Sequence, residues 1–172
     1  EAAVVDADFG GATSIEEVAF TAAMAATLTL GAKAAATGIT KVTNADTAET
    51  STVTVGVDFT NDLEVVVSDD AHDVAASAFT KVLTVNAGTS TLATGNAITG
   101  GTGTTDVFEF SGTANAASIS DNVSGFEKLV VNKDASSSFL LHDAFGAAEG
   151  TANFTIDASA ITSTESPISA RR

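Results

Sequence analysis

The segment Ile98-Thr-Gly-Gly-Thr-Gly-Thr-Thr-Asp-Val-Phe-Glu-Phe110 decides the fold of this chain, because a glycine-rich turn runs directly into an alternating apolar segment. Its glycines accept the positive φ angles that a tight turn requires. Valine and phenylalanine between Val107 and Phe110 favour a pleated, partly buried strand. The segment therefore predicts a turn that leads into a β-strand.

Short β-prone runs recur along the chain, separated by clusters of asparagine, aspartate and glycine, and together they predict an all-β protein. Hairpins with two-residue turns would place Asn-Gly or Asp-Gly between strands, and neither dipeptide occurs in this sequence. We therefore predict a parallel β-solenoid, of the β-helix or β-roll type, with short strands and Gly/Asn/Asp turns. An antiparallel β-sandwich is the alternative. The predicted strands are Val53–Val55, Leu63–Val67, Val82–Val85, Val107–Phe110 and Leu129–Val131.

The chain also contains an approximate internal repeat. Residues 15–43 and 126–155 carry apolar segments in the same order, at an offset of 111 residues. We interpret residues 1–172 as a single elongated repeat module with an internal duplication, and expect it to be a fragment of a longer chain. The alanine-rich segment between Ser14 and Ala26 would permit a short helix, but the repeat favours strands there.

Composition limits the classes of partner. The chain has 7 Lys and Arg against 22 Asp and Glu, a formal net charge of -15, so it lacks the cations that bind nucleic acid or an anionic membrane surface. No apolar run approaches the roughly 20 residues of a membrane-spanning helix, and we expect no membrane insertion. The absence of cysteine excludes disulfides and thiolate zinc sites. The charge permits a divalent metal as partner, and acidic self-repulsion that keeps the chain soluble explains it equally well.

Asp106 follows the glycines at a position where its carboxylate and nearby carbonyl groups could converge on a cation. The pattern resembles the nonapeptide G-G-x-G-x-D-x-(large apolar)-x of the repeats-in-toxin family, with one extra threonine before the aspartate. That resemblance implies parallel β-rolls around calcium, and we predict a calcium site formed by Gly101, Gly103, Asp106 and Asp121. Calcium takes about six to eight oxygen ligands, so neighbouring coils would have to contribute. The alternative is that Asp106 only caps the turn through a hydrogen bond. Reserve ligands are Asp69, Asp70 and Asp73.

The sequence favours no enzymatic activity and no catalytic residue. His72 and His142 lie beside aspartates, where a histidine is sometimes a metal ligand or general base but more often a solvated turn residue. The carboxylate pairs Glu16-Glu17 and Asp69-Asp70 would suit glycoside chemistry, yet exposed charges explain them better. No Gly-x-Ser-x-Gly motif is present.

Further segments resemble the repeat region of bacterial surface-layer proteins, which are similar to the repeats-in-toxin group in being secreted, acidic, free of cysteine and assembled with calcium. The resemblance implies a structural protein of a secreted cell-surface layer or extracellular filament, located outside the cell or at its surface, with other copies of itself as partner. An adhesin or glycan-binding module is the first alternative, and a polysaccharide-active β-solenoid enzyme is the second. The segments are Ala76-Ser-Ala-Phe-Thr80, Ile98-Thr-Gly-Gly-Thr-Gly103, Val123-Ser-Gly-Phe-Glu-Lys-Leu-Val-Val131 and Ile156-Asp-Ala-Ser-Ala-Ile-Thr162.

Overall fold

A computed structural model describes residues 2–20, 26–44, 51–67, 72–87, 97–103, 105–110, 123–131, 140–141, 145, 154–160 and 169–170. Its strands form two parallel sheets stacked as a β-solenoid, which confirms the predicted fold, and the alternative of an antiparallel sandwich is wrong. The first sheet contains, in spatial order, β1 (Ala2–Val4), β3 (Ala26–Leu30), β5 (Ser51–Val55), β7 (His72–Ala75), β9 (Ile98–Thr99) and β11 (Val123–Ser124). The second contains β14 (Thr155–Asp157), β12 (Lys128–Val131), β10 (Val107–Phe110), β8 (Leu83–Asn86), β6 (Leu63–Val67), β4 (Lys41–Asn44) and β2 (Glu17–Phe20). Strands β13 (Leu140–Leu141) and β15 (Ser169–Ala170) pair with each other.

The chain alternates between the two sheets, so one strand of each, with the corners between them, makes one coil. The segment from Ile98 to Phe110 shows this path: β9 lies in the first sheet, the glycines turn the corner, and β10 lies in the second. The prediction of a turn leading into a strand is therefore confirmed, and the turn is also preceded by a short strand. Parallel pairing requires this crossover, because two parallel strands cannot be joined by a tight hairpin.

The core lies between the sheets and is built from rows of residues that stack in register from coil to coil. Alternate residues of each strand point inward, as the buried and half-buried alternation of β5 and β6 shows. One row of the first sheet is Leu28, Val53, Val74, Ile98 and Val123. The facing sheet contributes the row Val42, Val65, Val85, Phe108 and Leu129. All ten residues are at most 2% exposed.

The corners from the first to the second sheet are filled mainly by phenylalanine. Phe59 and Phe79 occupy successive corners, with ring centroids 6.0 Å apart, and Phe126 and Phe145 pack at 5.9 Å further along. The corner between these two pairs is the glycine-rich turn, which contains no phenylalanine. The glycine-rich corner is therefore filled by residues other than phenylalanine.

An earlier corner contains the short helix α1 (Ala32–Thr37), which the sequence analysis did not predict. The Asp6 carboxylate, from the 3-10 helix η1 (Asp6–Phe9), accepts hydrogen bonds from the backbone N–H groups of Gly31, Lys33 and Ala34 at 2.9, 3.2 and 2.8 Å. One coil thus caps the helix of the next. With six residues, α1 is far shorter than the roughly 20 needed to cross a bilayer, and no other described helix is longer.

Successive coils differ in length, although their strands stay in register. The offset of 111 residues between Glu17 and Lys128 corresponds to five successive strand pairings in the second sheet, each from one coil to the next. The repeating unit of the described structure is therefore the coil. The larger duplication of residues 15–43 and 126–155 stays a prediction. The steps measure 24, 23, 20, 23 and 21 residues, from Glu17 through Lys41, Glu64, Thr84 and Val107 to Lys128.

Candidate functional site

Asp106 is the central residue of the glycine-rich corner and is completely buried. Its side-chain oxygen Oδ2 accepts a hydrogen bond from the Gly101 N–H at 2.7 Å, and Oδ1 accepts one from the Leu83 N–H at 2.9 Å. The carboxylate therefore ties its own turn to the preceding coil. Its side chain lies in the one corner between Phe59 and Phe126 that contains no phenylalanine.

Gly101 and Gly103 are required by how closely the stacked backbones approach. A Cβ atom at Gly101 would lie 2.4 Å from the Phe79 carbonyl oxygen, and one at Gly103 would lie 2.8 Å from the carbonyl oxygen of Lys81. Contacts this short exclude any side chain unless the backbone moves. The glycines therefore serve the stacking of coils, and each Cα also faces the Asp106 carboxylate.

Asp106 belongs to a row of inward-pointing residues that changes from apolar to acidic. Leu63 pairs with Leu83, and the register of the following strands places Asp106 and then Glu127 at the same position. Two carboxylates thus continue a row of two leucines in the interior. Buried carboxylates are uncommon unless their oxygens find partners.

Glu127 is only partly satisfied by its surroundings. Its Oε2 atom accepts a hydrogen bond from the Asp106 N–H at 2.7 Å, while the Asp106 carbonyl accepts the N–H groups of Glu127 and Lys128 at 3.1 and 3.0 Å. The residue is 7% exposed, and Oε1 is buried without a hydrogen-bond partner among the described residues. An unpaired buried carboxylate oxygen destabilises the ionised form.

Both acids have pKa values above their ordinary range. Burial raises the pKa of Asp106, and the hydrogen bonds from Leu83 and Gly101 oppose that rise without cancelling it. Burial also raises the pKa of Glu127, the hydrogen bond from the Asp106 N–H lowers it, and the charge of Asp106 raises it further.

Three of the four predicted calcium ligands, Gly101, Gly103 and Asp106, lie together in this corner, and Asp121 lies outside the described residues. Both carboxylate oxygens of Asp106 accept backbone N–H groups, so a cation there would bind the lone pairs that these hydrogen bonds leave free. Within the described ranges, no three acidic or histidine side chains gather as a metal site would require. Calcium binding stays a prediction.

The remaining candidate residues lie elsewhere or outside the described ranges. Asp73 is on the outer face of the first sheet, where Oδ1 accepts the Ala97 N–H at 2.7 Å. Glu17 is on the exposed outer face of β2, where its carboxylate accepts the Thr43 hydroxyl. The backbone carbonyl of the neighbouring Glu16 accepts the N–H groups of Thr40 and Lys41. Asp69, Asp70 and His142 are among the residues that the structure does not describe.

His72 contradicts the expectation of a solvated turn histidine, because it is 1% exposed and faces the interior. Its Nδ1 atom lies 2.8 Å from the Ser51 hydroxyl, which also accepts a hydrogen bond from the Asn44 side chain. This second buried polar group joins residues of β4, β5 and β7. The strand-like alternation of the following residues could have indicated that His72 points inward, since Asp73 faces outward and Val74 is buried.

A further surface feature is an open groove of about 480 Å³ beside the start of β6. Its acidic side chains are already engaged. The Asp62 carboxylate accepts the Val82 N–H at 3.1 Å, and Glu64 forms an ion pair with Lys41 at 3.5 Å. The groove is lined by Thr40, Asn61, Asp62, Leu63, Glu64, Val82 and Thr84.

The two end strands of the second sheet expose strand edges and apolar side chains whose equivalents in the inner coils are buried. Strand β2 has a strand neighbour, β4, on one side only, and β14 likewise pairs only with β12 in the described structure. Ile156 of β14 is 36% exposed, although it continues the core row of Leu129. At the opposite end, Val18 of β2 is half-buried, although its neighbour Val42 is fully buried. Among the residues that the structure describes, each end of the sheet therefore presents backbone groups without a strand partner beside apolar side chains.

Comparisons of this chain with protein-family models, curated proteins and solved structures found no match. The β-solenoid fold rests on the strand topology alone. The resemblance to surface-layer and repeats-in-toxin proteins stays a prediction.

Proposed function

We propose that this chain is a structural module of a secreted cell-surface layer or extracellular filament, which assembles with other copies of itself through its β-solenoid coils and has calcium as its predicted ion. The observation that carries the proposal is the unpaired ladder edge at each end of the second sheet in the described structure, on β2 and β14. Parallel edges of this kind bind further strands because their N–H and C=O groups are already arranged for pairing.

The interior supports the same function, because it is continuous from coil to coil. Rows of Val, Leu, Ile and Phe stack from coil to coil, interrupted in the described structure by the acidic pair Asp106 and Glu127 and by the polar group of Asn44, Ser51 and His72. Each coil of a solenoid is stabilised mainly by its neighbours, so adding coils at an end extends the core at little cost. Such a molecule suits a rod or lattice component.

Surface charge favours contacts at the ends over contacts between the outer faces of the second sheet. That face carries acidic residues and the ion pairs Lys41–Glu64 and Lys128–Asp157. The formal net charge of -15 opposes broad contact between two like faces. Short contacts through backbone hydrogen bonds and apolar side chains are less affected by this repulsion.

The proposal is tested by sedimentation velocity and negative-stain electron microscopy of residues 1–172 over a range of protein, salt and calcium concentrations. Rods, filaments or sheets that grow with protein concentration are expected. Val18→Lys should suppress the growth because it places a charge at the exposed end of the core, whereas Thr52→Lys, on the outer face of an interior strand, should leave it intact. A stable monomer under every condition would overturn the proposal.

An adhesin or glycan-binding module is supported by the outer face of the first sheet. Thr27 pairs with Thr52 and Thr29 with Thr54, so hydroxyl groups form two short rows on that face. Hydroxyl rows on a flat sheet suit hydrogen bonding to sugars. Glycan binding without turnover, lost in the double variant Thr29→Val and Thr54→Val, would favour this function over the structural one.

A further inference from the structure

The exposed edge of β14 at one end of the second sheet repeats the edge that β12 presents to β14 inside the sheet. From this equivalence we infer that β14 of one copy pairs in parallel with β2 of the next copy, with Ile156 directly beside Val18. The inference rests on the proposed function, since it names the surface and register through which copies assemble. The partner is a second copy of this chain.

The core rows favour this register. Inside the sheet, Ile156 pairs with Leu129, and Val18 pairs with Val42. Joining β14 to β2 in the inferred register makes one row, in which Leu129 and Ile156 of one copy are followed by Val18 and Val42 of the next. Ile156, which is 36% exposed in the single chain, then gains an apolar neighbour on the side away from Leu129. A slip of one residue would place Ile156 beside Glu17 or Ala19, which face outward, and lose this burial.

Charges on the outer face disfavour a slip of two residues in one of the two directions. In the inferred register, Thr155 lies beside Glu17, a pairing that already occurs inside the sheet where Glu64 pairs with Thr84. A slip of β14 by two residues toward the start of β2 would instead bring Asp157 against Glu17. Hydrogen bonds from Ser159 and Lys128, with the charge of Lys128, lower the pKa of Asp157 to about 2, so its ionised carboxylate would be opposed to the acidic side chain of Glu17.

The contact is heterologous, because it joins two different ends of the molecule. Repetition of one heterologous contact produces an open, polar filament unless the rotation between copies closes a ring. The inferred assembly therefore grows along the stacking direction of the coils, with every copy in the same orientation.

A disulfide between introduced cysteines would test the register of β14 against β2 directly, because the native chain has no cysteine. In the double variant Glu17→Cys with Thr155→Cys, the two Cα atoms of neighbouring copies would lie about 4.8 Å apart, within the range of a disulfide. The same two positions in one chain are separated by six ladder steps, or about 29 Å, which excludes a bridge within the chain. Both positions are exposed, so neither change removes a core contact.

The matched control is Glu17→Cys with Asp157→Cys, whose Cα atoms would be about 8 Å apart in the inferred register and too distant to bridge. Mild oxidation of the Thr155 variant should give a ladder of covalent multimers on a non-reducing gel, and the control should give mainly monomer. Equal or stronger cross-linking in the control would overturn the register. Filaments or sheets in the microscope without cross-linking would overturn this inference and leave the proposed function standing, whereas no assembly at all would overturn both.

Discussion

Replacing Glu127 by glutamine is expected to stabilise the folded chain at neutral pH. The substitution keeps an acceptor for the Asp106 N–H, which in the wild type donates to Oε2 at 2.7 Å. It replaces a buried carboxyl group whose other oxygen, Oε1, has no hydrogen-bond partner in the described structure. It also removes the repulsion between two neighbouring acids. Leaving a charged rather than a neutral group unpaired in the interior costs about 1–2 kcal/mol more. For a chain of this size, each kcal/mol corresponds to about 2–4 °C in Tm.

The stabilisation by Glu127→Gln should depend on pH with a defined sign. The folded-state pKa of Glu127 lies above its ordinary value of 4.5, so the folded chain binds more protons than the unfolded chain between these two values. The free energy of unfolding of the wild type therefore falls as pH rises from about 4.5 through the raised folded-state pKa. The variant lacks this titration, so its advantage should be small below pH 4.5 and reach its full size above the folded-state pKa.

Thermal melts of wild type and Glu127→Gln, recorded by circular dichroism between pH 4 and 8, measure this difference. Calcium-free buffer and fixed ionic strength keep ion binding and screening constant. Asp106→Asn is the contrasting variant, because an amide has one acceptor oxygen where the carboxylate accepts the Leu83 and Gly101 N–H groups. It should lower stability by about 1–3 kcal/mol. A Glu127→Gln variant no more stable than wild type at pH 7, or with the same pH dependence, would show that the buried Glu127 carboxyl does not destabilise the fold.

Three further outcomes are expected. Gly101→Ala should destabilise the fold by about 2 kcal/mol or more in chemical unfolding, since its Cβ would lie 2.4 Å from the Phe79 carbonyl oxygen. Gly56→Ala should destabilise it less, because its Cβ would lie 3.3 Å from the Leu30 carbonyl oxygen. Equal losses of stability would contradict the close approach of the backbones at Gly101. Asp6→Asn should lower the free energy of unfolding by about 1–2 kcal/mol at neutral pH through the lost helix cap. Burial raises the pKa of Asp6, but backbone hydrogen bonds and the Lys33 charge lower it by more, so the net pKa lies below 3.8 and this loss should shrink as pH falls from 3.8 through the folded-state value. A loss that stays constant with pH would contradict the capping role. Calcium at fixed ionic strength should raise Tm more than magnesium in wild type and in the control Glu165→Gln, with the increment lost in Asp106→Asn; equal effects of the two ions would leave Asp106 as a turn cap alone.

The fold could be predicted from the sequence because its local signals agree with its topology. The runs Leu63–Val67 and Val107–Phe110 are strands with the predicted bounds, and the absence of Asn-Gly and Asp-Gly agrees with the parallel pairing of all described strands. The length of the coil was missed, although Phe-Thr-x-x-Leu-x-Val occurs at residues 59–65 and again at 79–85. Those two segments are adjacent coils whose shared positions are corner and core residues.

The site was less predictable because the roles of its residues depend on neighbouring coils. The sequence places Asp106 near the glycines, but its hydrogen bond to Leu83 joins residues 23 positions apart. Glu127 was not singled out, since in the sequence it is one acid in a strand-like segment, and only the register shows that it follows two leucines and an aspartate in the interior. The burial of His72 has the same origin, because a partner on the preceding coil, Ser51, lies 21 residues away.

The stacking of coils has a mechanical consequence. Hydrogen bonds between strands run along the stacking direction, so a pull along that direction should separate strand pairs one after another. A pull along the strands would instead shear all the hydrogen bonds of a strand pair at once. Each coil that detaches from an end should lengthen the chain by a discrete amount. A step of 20 residues, as between Leu63 and Leu83, releases about 65–70 Å of extended chain, and one of 24 residues, as between Glu17 and Lys41, releases about 80–85 Å. The molecule should therefore yield by small, countable increments, as a rod that gives way one coil at a time.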